Sequence, residues 1–201
     1  MCRKQLVLLC QILVLLQVLN CSRAVLYEFV MAEEEIFSDC MDNPKGYLNI
    51  TGLMDFSSTS MEMVEEGIIL DGNMTSVWKV YPTDTIKGSF ALFYYDRGTW
   101  QQTILSMSVG DFCKVMYKEN QYWFIHWTQH VTNIEVRDKC LSLGTMLIIE
   151  RYTFSLKFGL DVPLRSGRYR IVYNLVATDR TGVRRKNGIC FEIRGDINRA
   201  Q

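Results

Sequence analysis

Apolar and polar residues alternate with a period of two along most of this chain, the pattern of half-buried β-strands. The clearest run is 145–158, where Met146, Ile148, Tyr152, Phe154, Leu156 and Phe158 alternate with Arg151, Thr153, Ser155 and Lys157. It predicts one long strand with one buried face. Residues 168–179 repeat the pattern, with Tyr169, Ile171, Tyr173, Leu175 and Ala177 on one side. Asp179-Arg180-Thr181-Gly182 then supplies turn chemistry before Ile189, Phe191 and Ile193, which predicts a C-terminal antiparallel hairpin. Shorter β-like runs occupy 25–37, 47–56, 61–70, 74–81 and 89–95, separated by Gly, Asp, Asn or Pro. Strands at this spacing predict a mainly β fold, an antiparallel sandwich or cup.

One stretch breaks the rhythm. Ser108-Val109-Gly110-Asp111 resembles a helix start, and Phe112, Val115 and Met116 then fall on one helical face, so a short helical segment is expected within 108–133. Tyr122-Trp123-Phe124-Ile125-His126-Trp127 follows, placing two of the four tryptophans between Cys113 and Cys140.

The first residues read differently. Arg3 and Lys4 precede an apolar run from Leu6 to Leu19, and Ser22-Arg23-Ala24 offers small residues for signal peptidase. Fourteen helical residues cover only about 21 Å of a bilayer core about 30 Å thick, so 1–24 is expected to be a cleaved signal peptide and 25–201 the mature, extracellular domain. Cys2, Cys10 and Cys21 leave with the leader; Cys40, Cys113, Cys140 and Cys190 remain. An even count in a secreted chain implies two disulfides in one of three connectivities. None of the four forms a CxxC pair, which argues against a thiolate zinc site.

Without Arg3, Lys4 and Arg23 the chain has three fewer basic than acidic residues and no general reason to bind nucleic acid. The distribution is uneven: residues 25–110 carry 4 basic and 13 acidic groups, and 111–201 carry 15 and 9. Mutual neutralisation of strands from the two halves is the simplest meaning. Asn49-Ile50-Thr51 and Asn73-Met74-Thr75 are acceptor sequons, so Asn49 and Asn73 are expected to be exposed and glycosylated.

No catalytic constellation assembles. His126 and His130 have the spacing of two zinc ligands on a helix, but Trp127 stands where a metallopeptidase needs Glu, and no third histidine exists. Nucleophile-elbow and phosphate-loop motifs are missing. Glu33-Glu34-Glu35 and Glu65-Glu66 read as solvated charge, since adjacent strand residues point to opposite faces. Arg184-Arg185-Lys186 reads as exposed charge or as a patch for an anionic lipid or sugar. An immunoglobulin arrangement fails because Cys140 follows Cys113 too soon for several intervening strands. No cofactor and no metal are expected.

Asp111-Phe112-Cys113-Lys114-Val115-Met116-Tyr117, Pro163-Leu164-Arg165-Ser166-Gly167-Arg168-Tyr169 and Gly188-Ile189-Cys190-Phe191-Glu192-Ile193-Arg194-Gly195 resemble the insect chemosensory protein A and B family, the A branch first. That family is similar to the ganglioside-activator branch of the ML lipid-recognition proteins, and the likeness runs from about Tyr27 to Ile197. The resemblance implies a β-cup of two sheets around an apolar cavity, with Cys40 paired to Cys190 and Cys113 to Cys140. Closing such loops restricts the unfolded chain by about 5 and about 3.6 kcal/mol. It also implies a non-enzymatic carrier of a hydrophobic small molecule or lipid, such as a hydrocarbon or pheromone, that presents its cargo to a receptor or channel at a sensory membrane. The alternative is a secreted modulator that acts through protein contacts with no bound ligand. An aromatic content of 12% and ten methionines suit an adaptable cavity wall and equally a solid core. Candidate wall residues are Phe90, Leu92, Phe154, Leu156, Tyr173 and Leu175. Trp123 and Trp127 form a candidate mouth, or a helical segment packed against the sheet.

Overall fold

The computed structural model describes residues 24–200, so the expected signal peptide lies almost wholly outside the described residues. Among the described residues no helix is long and apolar enough to cross a membrane. The fold is mainly β and antiparallel, with two sheets and a few short helices.

The large sheet has the strand order β7-β6-β10-β11-β1-β9, built from β1 (Val25–Met31), β6 (Thr85–Asp96), β7 (Thr99–Val109), β9 (Leu156–Leu160), β10 (Gly167–Thr178) and β11 (Gly188–Arg199). One edge of β11 is filled in turn by β1, by β2 (Ser38–Asp39) and by β3 (Tyr47–Leu48). The small sheet has the order β4-β5-β8, from β4 (Met54–Val64), β5 (Gly67–Ser76) and β8 (Met146–Phe154). The core lies between the inner faces, where Tyr27, Ile68, Leu147, Tyr169, Ile189 and Ile197 are fully buried. Each such side chain contributes roughly 1.5–3 kcal/mol.

The C-terminal hairpin forms where the sequence places it. Asp179 Oδ1 accepts hydrogen bonds from the Thr181 and Val183 backbone N–H groups, at 2.9 and 3.0 Å, which closes the turn. The 145–158 run departs from expectation in two ways. It is two strands, because the chain leaves the small sheet at Ser155 and continues as β9 in the large one. Its alternation also slips: β5 advances from Leu70 to Gly72 while β8 moves from Tyr152 to Ile149. The bulge puts Leu147 and Ile149 inside together with Tyr152 and Phe154, and turns Met146 and Ile148 outward. A bulge inserts an unpaired residue and so flips the facing pattern beyond it.

Other boundaries shift for local reasons. The 61–70 run is broken by the β4–β5 turn at Glu65-Glu66, and 47–56 by a 3-10 helix at Ile50–Gly52. The 74–81 run leaves the sheet after Ser76, and Trp78 is buried with its Nε1 donating to the Asn187 carbonyl at 3.2 Å. β7 was not expected from the pattern. Its alternation fails at Thr103–Leu105, where the register against β6 slips between Ala91 and Phe93.

Residues 110–145 leave the sheets as the helical excursion. Asp111 caps α1 (Phe112–Val115) by accepting from the Lys114 N–H at 3.4 Å, and α2 (Tyr122–His126) follows. Two 3-10 turns, Thr128–His130 and Ile134–Lys139, extend the helical region beyond 133. Of the three possible connectivities the structure has Cys113–Cys140, which staples the base of this excursion, and Cys40–Cys190, which ties the segment after β2 to β11.

The two oppositely charged halves do neutralise one another across the sheets. Glu28 pairs with Lys157, Glu62 and Asp71 with Arg151, Asp42 with Arg170, and Asp84 with Arg185. Arg185 is therefore engaged rather than free for an anionic ligand, and the Arg184 guanidinium lies over the Tyr47 ring.

Candidate functional site

The crossover at Ser155 leaves a gap in the wall of the sandwich. β9 pairs with β1 only as far as Leu156 opposite Phe29, so Val30 and Met31 have no β9 partner. The β4–β5 turn packs into that position. Gly67 adopts a φ of +147, and a Cβ there would meet the Phe154 carbonyl oxygen at 2.3 Å, so only glycine lets the turn come this close. Between β1 and the turn remains a cleft of about 60 Å³. Phe29, Met31, Met63, Val64, Ile68 and Phe154 wall it, and Glu28, Glu65, Glu66 and Ser155 stand with them in its lining.

The charge around the cleft is mostly negative. Glu28 has a counterion in Lys157 at 3.2 Å. Glu34 reaches over from the β1–β2 loop and accepts a hydrogen bond from the Met63 N–H at 3.3 Å. Glu65 and Glu66 make no ion pair among the described residues. Met63 is 45% exposed, so a flexible, polarizable side chain stands at the opening.

The eight candidate ligand residues fall into separate groups. Phe90 stands opposite Tyr173 on β6 and β10, with ring centroids 5.0 Å apart, and Leu92 and Leu175 are buried on the same inner face. Burial pushes the Tyr173 phenol well above its ordinary pKa. Trp123 joins this group: its ring stacks on Phe90 at 5.6 Å and its Nε1 donates to the Val115 carbonyl at 3.0 Å. Trp123 thus packs inward, and Trp127 is half-buried against the core. Leu156 packs on the core from β9. Phe154 alone of the eight borders the cleft. The other wall residues carry no ligand-site signal in the sequence: Phe29 and Met31 lie in β1, and Met63, Val64 and Ile68 flank a turn inside the expected 61–70 strand. Glu65-Glu66-Gly67, a polar pair before glycine, was the turn signal that would have divided it.

The two histidines point to different tasks. His130 Nδ1 lies 2.8 Å from Glu150, and its ring stacks on Tyr152 with centroids 3.6 Å apart. Burial holds the His126 imidazole below its usual pKa, and its carbonyl accepts the Tyr152 hydroxyl at 2.8 Å. Among the described residues no three His, Cys, Asp or Glu side chains are grouped to hold a metal ion. Asn49 and Asn73 are half-exposed.

No protein-family model matches this chain, and no curated protein does.

Proposed function

We propose that this protein is a secreted, non-enzymatic carrier of an apolar ligand, of the activator-like kind that its motifs resemble, with a role in chemosensation. The observation that carries the reading is the cleft between β1 and the β4–β5 turn, whose lining includes the buried core residues Phe29, Ile68 and Phe154. Ligand pockets usually start at about 300 Å³, so loading requires the turn to move away from β1. Among the described residues β1 pairs with β11 and β9, and no strand ladder joins it to the turn. The Glu34 contact to the Met63 N–H is a polar tether from the β1–β2 loop, and the two methionines repack without strain. An exported hydrocarbon, pheromone or lipid chain would then lie between the sheets, to be handed to a receptor or membrane.

Fluorescence titration with the apolar probe N-phenylnaphthylamine tests this. Saturable one-to-one binding is expected, weakened several-fold in Ile68→Trp, which fills the cleft. Absence of saturable binding to the folded protein would end the carrier reading.

A second reading, a modulator acting through protein contacts, draws on β7. Among the described residues this edge strand of the large sheet pairs only with β6; it carries no charged residue from Thr99 to Val109 and exposes Ile104 by 80% and Met107 by 40%. Native mass spectrometry of protein from its own source separates the two: a stoichiometric lipid supports the carrier, and a lipid-free protein bound to a partner chain supports the modulator.

A further inference from the structure

The outer face of the small sheet is not polar throughout. Met146 and Ile148 project from β8 with exposures of 43% and 38%. Beside them Ile134, 66% exposed, follows Asn133, whose side chain bonds the Met146 carbonyl at 2.8 Å and the Ile148 N–H at 2.9 Å. Met146 and Ile148 therefore form an exposed apolar strip on β8, and Ile134 is exposed on the segment bonded to that edge.

On the other side of β8 lies a sequon. In the β5–β8 register Asn73 stands opposite Ile148 and Thr75 opposite Met146. Opposed residues of an antiparallel pair have Cβ atoms about 4.5–5.5 Å apart and share a face. That face is the outer one, because Met74 and Ser76, which alternate with Asn73 and Thr75, are buried. The Asn73 carbonyl accepts the Thr59 hydroxyl at 2.6 Å, while its side-chain amide makes no hydrogen bond among the described residues.

We infer that Asn73 carries an N-linked glycan and that this glycan covers Met146 and Ile148, closing the apolar face of the small sheet with a sugar of the chain itself. The inference rests on the reading of the chain as secreted. The donor is a lipid pyrophosphate-linked oligosaccharide of the secretory pathway. Asn73 Nδ2 bonds to the anomeric carbon, the lipid pyrophosphate leaves with the electron pair of the broken C–O bond, and Nδ2 gives up one of its two protons. Asn49 serves differently. It lies outside both sheets, capping the 3-10 helix with Oδ1, which accepts from the Gly52 N–H at 3.3 Å and the Thr51 hydroxyl at 2.8 Å.

The test is expression of the full chain, with its own leader, in secreting eukaryotic cells. Peptide mass spectrometry is expected to find a glycan on Asn73 of the secreted protein. Asn73→Gln should stay folded by circular dichroism, bind a hydrophobic-interaction column more strongly, and self-associate at several-fold lower concentration than the wild type. Adding Met146→Thr and Ile148→Thr should abolish that increase, and Asn49→Gln should not produce it. The inference is overturned if Asn73 of the secreted protein is unmodified, if Asn73→Gln behaves as wild type, or if its stickiness survives the two threonines. A chain that stays in the cytosol unglycosylated defeats the secreted reading, and this inference with it.

Discussion

Arg170 and Glu192 form an ion pair, Nη1 to Oε2 at 3.1 Å, on the outer face of the large sheet, with side-chain exposures of only 5% and 0%. Arg194 bonds the other oxygen of Glu192, Asp42 takes a second Arg170 nitrogen at 3.0 Å, and Phe93 and Trp100 hold the Arg170 guanidinium within about 5 Å of their rings. A buried pair adds little net stability over an apolar pair of the same shape, yet breaking it strands a charge. Glu192→Leu is therefore expected to cost about 3–5 kcal/mol in urea unfolding, and Arg170→Met with Glu192→Leu much less. Equal costs would show that the pair is not shielded from water.

Asp84 and Arg185 set an acid limit on stability. Arg185 donates two hydrogen bonds to the Asp84 carboxylate, at 2.8 and 2.7 Å, and with the Tyr81 N–H holds that carboxyl below its ordinary pKa of 3.8. Because the folded value is the lower one, this contribution is complete above about pH 4 and is lost as pH falls through the folded pKa. Asp84→Asn should lower stability by about 2 kcal/mol at neutral pH, with the gap to wild type closing below about pH 4. Denaturant midpoints across that range measure it.

The Cys113–Cys140 bridge closes a loop of 27 residues. Replacing both cysteines by alanine is expected to cost about 3–4 kcal/mol, seen as an earlier thermal transition. Non-reducing peptide mapping should recover Cys113 joined to Cys140, and a Cys40–Cys113 peptide would contradict the fold itself.

Glu65 and Glu66 should make the cleft selective by charge. Dodecanoate is expected to displace the apolar probe about tenfold more weakly than dodecanol at low salt, the difference shrinking with added salt. The double variant Glu65→Gln, Glu66→Gln should remove it. Equal displacement by both competitors in the wild type would show that these carboxylates lie too far from the bound head group to matter.

Much of the fold was legible in the chain. Period-two alternation revealed β10, β11 and the inner-face residues of β6, and Asp111 revealed the start of the excursion, because these depend on contacts between near neighbours in sequence. Three features hid the rest. The β8 bulge moves side chains to the other face without changing composition, β7 carries the apolar residues Trp100 and Ile104 on its outer face, and the 145–158 run divides at the Ser155 crossover. The cleft was not legible, since Phe29 and Met31, Ile68, and Phe154 come from three segments distant in the chain.

By itself the sequence determined the class of fold, the helical interruption between Cys113 and Cys140, and the charge asymmetry that became cross-strand ion pairs. These are properties of local pattern and of composition. Tertiary structure alone decided that the 145–158 run serves two sheets, that a cleft lies between β1 and the β4–β5 turn while Trp123 packs inward on Phe90, and that Asn73 shares a face with Ile148. Each of these is a relation between residues far apart in the chain, set by strand register and by the crossover at Ser155, which no local periodicity encodes.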